Sequence, residues 1–283
     1  MKLIDIPTLY INLNKDENRK ISLEKDLNKL NIEYNRVEAV YGKQLYNREY
    51  RQRLASFLEI SEKKLHPRYW LDRHNFKTMV QKENAVLAKV GCYLSHLVSL
   101  KVALKLGYNK VLILEDDAMF LKNAYKEFNI PKNTDIYYPG GYFYKQGTNI
   151  KDNNRDEIQI NFDKLKICGT YSYILPTRQK IIDAYNVYMA VFLDGKGHDK
   201  DLNWRSGKVR LRAQASDFVY INFFQKFGKC YIANPVMIGT RDFSSNIQAN
   251  REEYQLSSYL NQKQQYNLIG VKGNIDGLRK IKD

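Results

Sequence analysis

The chain has 283 residues, room for one large domain or two ordinary ones. At 43% hydrophobic residues it is no disordered chain, and the absence of an apolar run of about 18 residues argues against a bilayer-spanning helix. Lys and Arg number 46 against 31 Asp and Glu, a net charge of +15 that points to anionic partners: nucleotide phosphates, nucleic acid or an acidic membrane surface.

Cys92, Cys168 and Cys230 are an odd number without a CxxC pair, so neither a disulfide scaffold nor a structural zinc site is expected. The first segment turns polar after Leu13, too early for a secretory signal. A cytoplasmic protein is expected, at most peripheral on a membrane. The Asn, Lys, Ile and Tyr usage suits a bacterium or a large virus.

In chain order, Thr8–Leu13 has the β-branched and aromatic content of a buried strand. A helix carrying Leu23, Leu27 and Leu30 follows, then a strand over Tyr34–Val40, stopped at Tyr41 and Gly42. This β-turn-α-turn-β opening predicts a Rossmann-like nucleotide-binding half. Residues 46–89 are charged and helix-prone around Pro67, and are expected to form a helical insertion without chemistry of its own. Gly91 is expected to open a helix with Leu94, Leu97, Val98 and Leu104 on one face, closed by Gly107. Val111–Leu114 reads as a short central strand. Further strands are predicted over Asp135–Tyr138, Ile167–Leu175 and Tyr231–Ile238, with helices from Thr177 and over Ser216–Phe227. An exposed loop at 145–157, a basic loop at 194–212 and a polar tail at 246–283 complete the reading.

Glu115-Asp116-Asp117 stands at the carboxyl end of the Val111–Leu114 strand. Adjacent acids repel unless a cation lies among them, and in open α/β sheets ligands bind at strand carboxyl ends. Hard oxygen donors there suit Mg²⁺ or Mn²⁺ bridging to substrate phosphates. A solvated acidic turn is the bland alternative. Phosphorelay receiver domains also open on paired acids, but Asp163, at the required spacing, lies in polar sequence and not in a buried strand.

Several segments together resemble glycosyltransferase family 25, which includes bacterial lipopolysaccharide galactosyltransferases and procollagen galactosyltransferases. They are the opening strand and turn from Tyr10 through Asn12 to Arg19, and Glu38-Ala39-Val40-Tyr41-Gly42. The motif Gly91-Cys92-Tyr93-Leu94-Ser95-His96, the acidic strand, Gly169-Thr170-Tyr171-Ser172-Tyr173 and Ser216-Asp217 follow in family order. Tyr41 departs from the family's usual Asp. No His follows His198, where related transferases place a late metal ligand; Arg241 stands in that region.

The resemblance implies an α/β fold of GT-A type, a mixed central sheet flanked by helices, over residues 1–245, with 246–283 a tail or peripheral helix. It further implies an inverting, metal-dependent hexosyltransferase using a UDP-sugar donor, with Mn²⁺ or Mg²⁺ as cofactor. Galactose is the first choice of sugar, ahead of glucose and N-acetylglucosamine. Glu115 and Asp117 become candidate metal ligands, chiefly Asp117, and Asp116 a contact to a ribose or sugar hydroxyl. Asn12, Arg19, Ala39, Val40, Tyr41, Ser95 and His96 are placed near the nucleotide, and Asp217 is the candidate base, or else a helix cap. Cys92 is read as a small buried residue. The tyrosines at 137, 138, 142 and 144 are candidates for a sugar platform, and the 194–212 loop for closing over the diphosphate. Acceptors implied are a glycan, lipopolysaccharide or collagen-like hydroxylysine. A catalytically silent sugar-nucleotide or glycan binder is the alternative. Nucleic-acid binding is a remote one, since no such motif accompanies the charge.

Overall fold

The computed structural model describes residues 1–71, 80–145, 157–160, 165–194, 216–234 and 236–241. The loops expected at 145–157 and 194–212 fall largely, and the tail at 246–283 and Asp163 wholly, outside the described residues, as do the side chains of Asp217, Tyr142 and Tyr144.

Strand β1 (Thr8–Asn12) is buried throughout, as a central parallel strand must be. Helix α1 (Glu17–Lys29) buries Leu23 and Leu27 one turn apart. It stops where Asn31 takes a left-handed φ of 53° and Ile32 N–H returns to Leu27 O at 3.0 Å. Strand β2 (Tyr34–Glu38) then runs parallel to β1, completing the predicted βαβ half.

Helices α2 (Arg48–Leu58) and α3 (Pro67–Leu71) follow, with short 3₁₀ turns beside them. The described residues between 46 and 89 are largely helical, but they are built into the core: Leu54, Leu58, Leu65 and Trp70 belong to the same buried cluster as β1. Helix α4 spans Val80–Lys105. Gly91 therefore does not open it, and Ser95 and His96 lie inside it. Glycine is needed there because a Cβ would sit 2.5 Å from Val40 O and 2.9 Å from Gly42 N, on the loop that leaves β2. Gly107, at φ 73°, does end the helix, with Tyr108 N–H closing onto Ala103 O at 3.1 Å. The 23 residues Glu83–Lys105 are long and apolar enough to cross a membrane, which the sequence reading did not anticipate. Here packing accounts for their character: Leu87, Leu94, Leu97, Leu100 and Ala103 are buried in the core.

Strand β3 (Val111–Glu115) pairs in parallel with β1, and β4 (Ala118–Phe120) follows a turn at Asp116 and Asp117. Strands β5 (Ile136–Tyr138), β6 (Tyr142–Lys145) and β7 (Glu157–Gln159) come next. The single strand expected over Ile167–Leu175 is two, β8 (Leu165–Cys168) and β9 (Ser172–Leu175). Gly169, at φ 89°, turns the chain between them. Helix α5 (Arg178–Asp194) packs on α4. The helix expected over Ser216–Phe227 begins as α6 (Ser216–Val219) and widens into a π turn over Tyr220–Gln225. There the Gln225 amide bonds Ile167 N and O, at 2.9 and 2.7 Å, and the Tyr138 hydroxyl. The last predicted strand is likewise two, β10 (Cys230–Ala233) and β11 (Ile238–Thr240).

The main sheet has seven strands in the order β2-β1-β3-β9-β5-β10-β7, with β9 antiparallel to both neighbours. Two small sheets, β11-β4 and β6-β8, flank it. Strand alternation divides the core in two. Leu9, Ile11, Val111, Ile113 and Tyr173 face α4 and α5, whereas Tyr10, Leu112, Leu114 and Ile174 face α1.

Candidate active site

The same alternation sorts the acids. Continuing β3, Glu115 falls on the α4 side with Ile113, and Asp116 on the α1 side with Leu114; Asp117 is left in the turn to β4. Each then meets a different environment.

On the α1 side, Arg19 Nη1 donates to Asp116 Oδ1 at 2.6 Å and Asn12 Nδ2 to Asp116 Oδ2 at 2.9 Å. Asn12 also accepts from Arg36 Nε at 3.1 Å. The end of β1, the first turn of α1 and the end of β3 are thus joined through the side chains of Asn12, Arg19 and Asp116. Burial still lifts the Asp116 carboxyl above its ordinary range, against the pull of Arg19 and Asn12. Arg36 lies mid-strand on exposed β2, and its side chain reaches the end of β1.

On the α4 side, His96 is fully buried. Its Nε2 lies 3.2 Å from Glu115 Oε1 and its Nδ1 3.0 Å from the Tyr173 hydroxyl. Thr170 donates to the same Glu115 oxygen at 2.6 Å and meets the Ser216 hydroxyl at 3.0 Å. Burial alone would raise the Glu115 carboxyl, but the bonds from His96 and Thr170 and the charge of Arg19 hold it below its ordinary range. Thr170 and Tyr173 stood in a recognised motif without a role, and Ser216 was read as a helix residue. Asp217 follows Ser216 in α6, so its backbone adjoins this cluster.

Ala39, Val40 and Tyr41 leave β2 across α4. Ala39 N–H donates to Asn12 O at 2.9 Å, and Val40 N–H to Ser95 Oγ at 2.8 Å. Ser95 Oγ in turn donates to Gly91 O at 2.7 Å. Ser95 thus positions the loop from beneath. Tyr41 is half-buried, with Lys15 Nζ 4.8 Å from its ring centre.

Asp117 differs from its neighbours. Its Oδ1 is buried and meets no hydrogen-bond donor among the described residues. Burial, then the charges of Glu115 and Asp116, push the carboxyl up to about 8. An unanswered buried carboxylate oxygen beside two acids is a donor set that fits a hard divalent cation. Arg241 serves elsewhere: its backbone N–H caps Asp117 O at 2.7 Å, while its guanidinium turns to α1. Tyr137 and Tyr138, offered as platform residues, are buried in β5, where Tyr138 belongs to the packed core.

A parallel βαβ half whose strand ends converge on buried acids, within a mixed seven-stranded sheet flanked by helices, is an α/β fold of GT-A type. The chain belongs to glycosyltransferase family 25: the family model described as Glycosyltransferase family 25 (LPS biosynthesis protein) matches residues 5–191. No curated protein matches it.

Proposed function

We propose that this glycosyltransferase moves a hexose, galactose first, from a UDP-sugar to a hydroxyl of lipopolysaccharide or a related surface glycan, with inversion and with Mn²⁺ or Mg²⁺. The observation that carries the metal is the buried Asp117 Oδ1 with no donor among the described residues, at the carboxyl end of β3. Asp117 is the ligand, and a divalent ion held there supplies charge neutralisation for the departing diphosphate. Arg19 and Arg36 bring cationic groups to the neighbouring ends of β1 and β2, where the diphosphate and nucleoside belong. Asp116 keeps acceptor positions beyond those taken by Arg19 and Asn12, enough for a ribose or sugar hydroxyl. Ala39, Val40 and Tyr41 form the rim toward the base, with the Tyr41 ring providing aromatic contact where the family usually has a carboxylate. Asp217 takes the acceptor proton, which direct displacement requires.

The acceptor class rests on the family's description as an LPS biosynthesis protein. The net charge of +15 suits work at an anionic membrane face, from the cytoplasm.

Calorimetry with UDP and UDP-sugars, with and without Mn²⁺, tests the reading. UDP binds with Mn²⁺, and Asp117→Ala abolishes the metal's contribution while far-UV circular dichroism stays unchanged. Metal-dependent affinity that survives in that variant would falsify the assignment. Product NMR adds the stereochemistry: a β-linkage is expected from an α-linked donor, and an α-linked product excludes inversion.

A further inference from the structure

The Gly91–His96 motif is only half explained by the loop it supports. Gly91 admits the backbone leaving β2, and Ser95 holds Val40; Cys92 and His96 make neither contact. They stand at i and i+4, one turn apart on the same face of α4. Among the described residues, the Cys92 thiol, a His96 ring nitrogen and a Glu115 carboxylate oxygen all lie within 4.8 Å of one another. We infer that Cys92, His96 and Glu115 form a second cation site, for a thiophilic divalent ion of the Zn²⁺ class, separate from the sugar-nucleotide metal at Asp117.

The donor chemistry selects the ion. A thiolate and an imidazole favour zinc over the hard ions that suit Asp117, and a carboxylate completes a common third ligand. Zinc's bond lengths place donors of a tetrahedral shell about 3.3–3.6 Å apart. His96 Nε2 and Glu115 Oε1, at 3.2 Å, already stand near that spacing. Cys92 is half-buried, and on binding its thiol draws in from within that 4.8 Å span.

Each ligand also has the outer support that metal sites carry. The Tyr173 hydroxyl lies 3.0 Å from His96 Nδ1, which fixes the ring and leaves Nε2 toward Glu115. Thr170 donates to Glu115 at 2.6 Å, and the Ser216 hydroxyl lies 3.6 Å from the Cys92 sulfur. On binding, the Cys92 thiol gives up its proton and the ion takes the fourth ligand from water. The ion ties α4 to the end of β3 beside Ser216, and so steadies the start of α6 that carries Asp217. Linear spacing rules missed this site because they look for paired cysteines. One helical turn and a distant strand supply the ligands instead.

The inference stands without the sugar-nucleotide reading, and its test separates the two. The full-length protein, stripped with a chelator, is titrated with Co²⁺, which occupies zinc-type sites and reports thiolate ligation optically. One equivalent is expected to give sulfur-to-cobalt charge-transfer absorption that Zn²⁺ displaces. The absorption is lost in Cys92→Ser and weakened at least tenfold in affinity by Glu115→Gln. It persists in Cys168→Ser, Cys230→Ser and Asp117→Asn. In the unmutated protein, Zn²⁺ slows iodoacetamide alkylation of Cys92 at least tenfold, measured by peptide mass spectrometry; this readout needs no variant to fold. The inference is overturned by absence of the absorption, by its survival in Cys92→Ser, by its loss in Asp117→Asn, or by an unchanged alkylation rate. Failure of the sugar-nucleotide reading would appear instead as UDP affinity indifferent to Mn²⁺.

Discussion

Asp117 sets burial against charge, because its carboxylate lies among two other acids, offset in part by Arg19 and a backbone hydrogen bond. With its carboxyl at about 8 in the fold against an ordinary 3.8, the folded state holds an extra proton between those values. In a chelating buffer, therefore, stability falls as pH rises from roughly 4 toward 8 and levels above. Asp117→Asn should flatten that slope and raise the melting temperature at pH 8 by a few degrees, since about 2–4 °C accompanies each kcal/mol recovered in a chain of this size. Thermal melts across pH decide it; a variant no more stable than the parent at pH 8 shows that the carboxylate is not strained. Asp217 poses the converse question, of chemistry against structure. If it is the base, Asp217→Asn lowers turnover by roughly 10²–10⁴-fold with donor affinity almost unchanged. As a helix cap, asparagine would serve nearly as well. Near-normal transfer in that variant moves the base to another carboxylate, Asp116 or Asp242 being next in line.

Elements were legible where the signal was local. The buried run Thr8–Asn12, the Leu23–Leu27 stripe and the strand at Tyr34–Glu38 were legible locally, and the βαβ half followed from them; the apolar run Val111–Leu114 marked the next central strand. The acid triplet was legible as a site for the same reason. Its division among three environments was not, because that depends on which neighbour lies on each face of β3. Gly91 reads locally as a helix boundary, yet its cause is a loop some 50 residues earlier in the chain, invisible to any window. That explanation makes a prediction contrary to helix propensity. Alanine at 91 gains about 1 kcal/mol in propensity but must displace Val40 O and Gly42 N, an overpacking cost of roughly 1–3 kcal/mol. Gly91→Ala should therefore lower stability by up to about 2 kcal/mol and weaken UDP binding through the displaced Val40–Tyr41 rim. Urea unfolding gives the first number, and a stabilised variant would remove the close-approach argument.

At the scale of the whole molecule, the fold does not end where the family match ends. Residues 5–191 match, but β10 lies within the main sheet between β5 and β7, and β11 pairs with β4 just beyond the acid turn. Arg241 closes this arrangement. Its guanidinium meets Asp26 Oδ2 at 2.6 Å and Ser22 O at 3.3 Å on α1, and also bonds Ala118 O, while its backbone N–H holds Asp117 O. One side chain thus joins the last described residue to the first helix and to the metal-candidate turn. Removing one partner of a fully buried pair costs about 3–5 kcal/mol. The Arg241 side chain is 6% exposed, but Asp26 is 26% exposed and can recover water, which brings the expected cost nearer 2 kcal/mol. Arg241→Met, which keeps the apolar stem, should lower the unfolding free energy by that amount, seen as a lower urea midpoint with an unchanged slope. The loss should shrink in Asp26→Asn, where the charge partner is already gone, and a double-mutant cycle measures the difference. Because the same guanidinium bonds Ala118 O, next to Asp117, Arg241→Met should also weaken Mn²⁺-dependent UDP binding. A stability loss with metal-dependent binding untouched would confine Arg241 to joining α1 with β11 and free the acid turn from it.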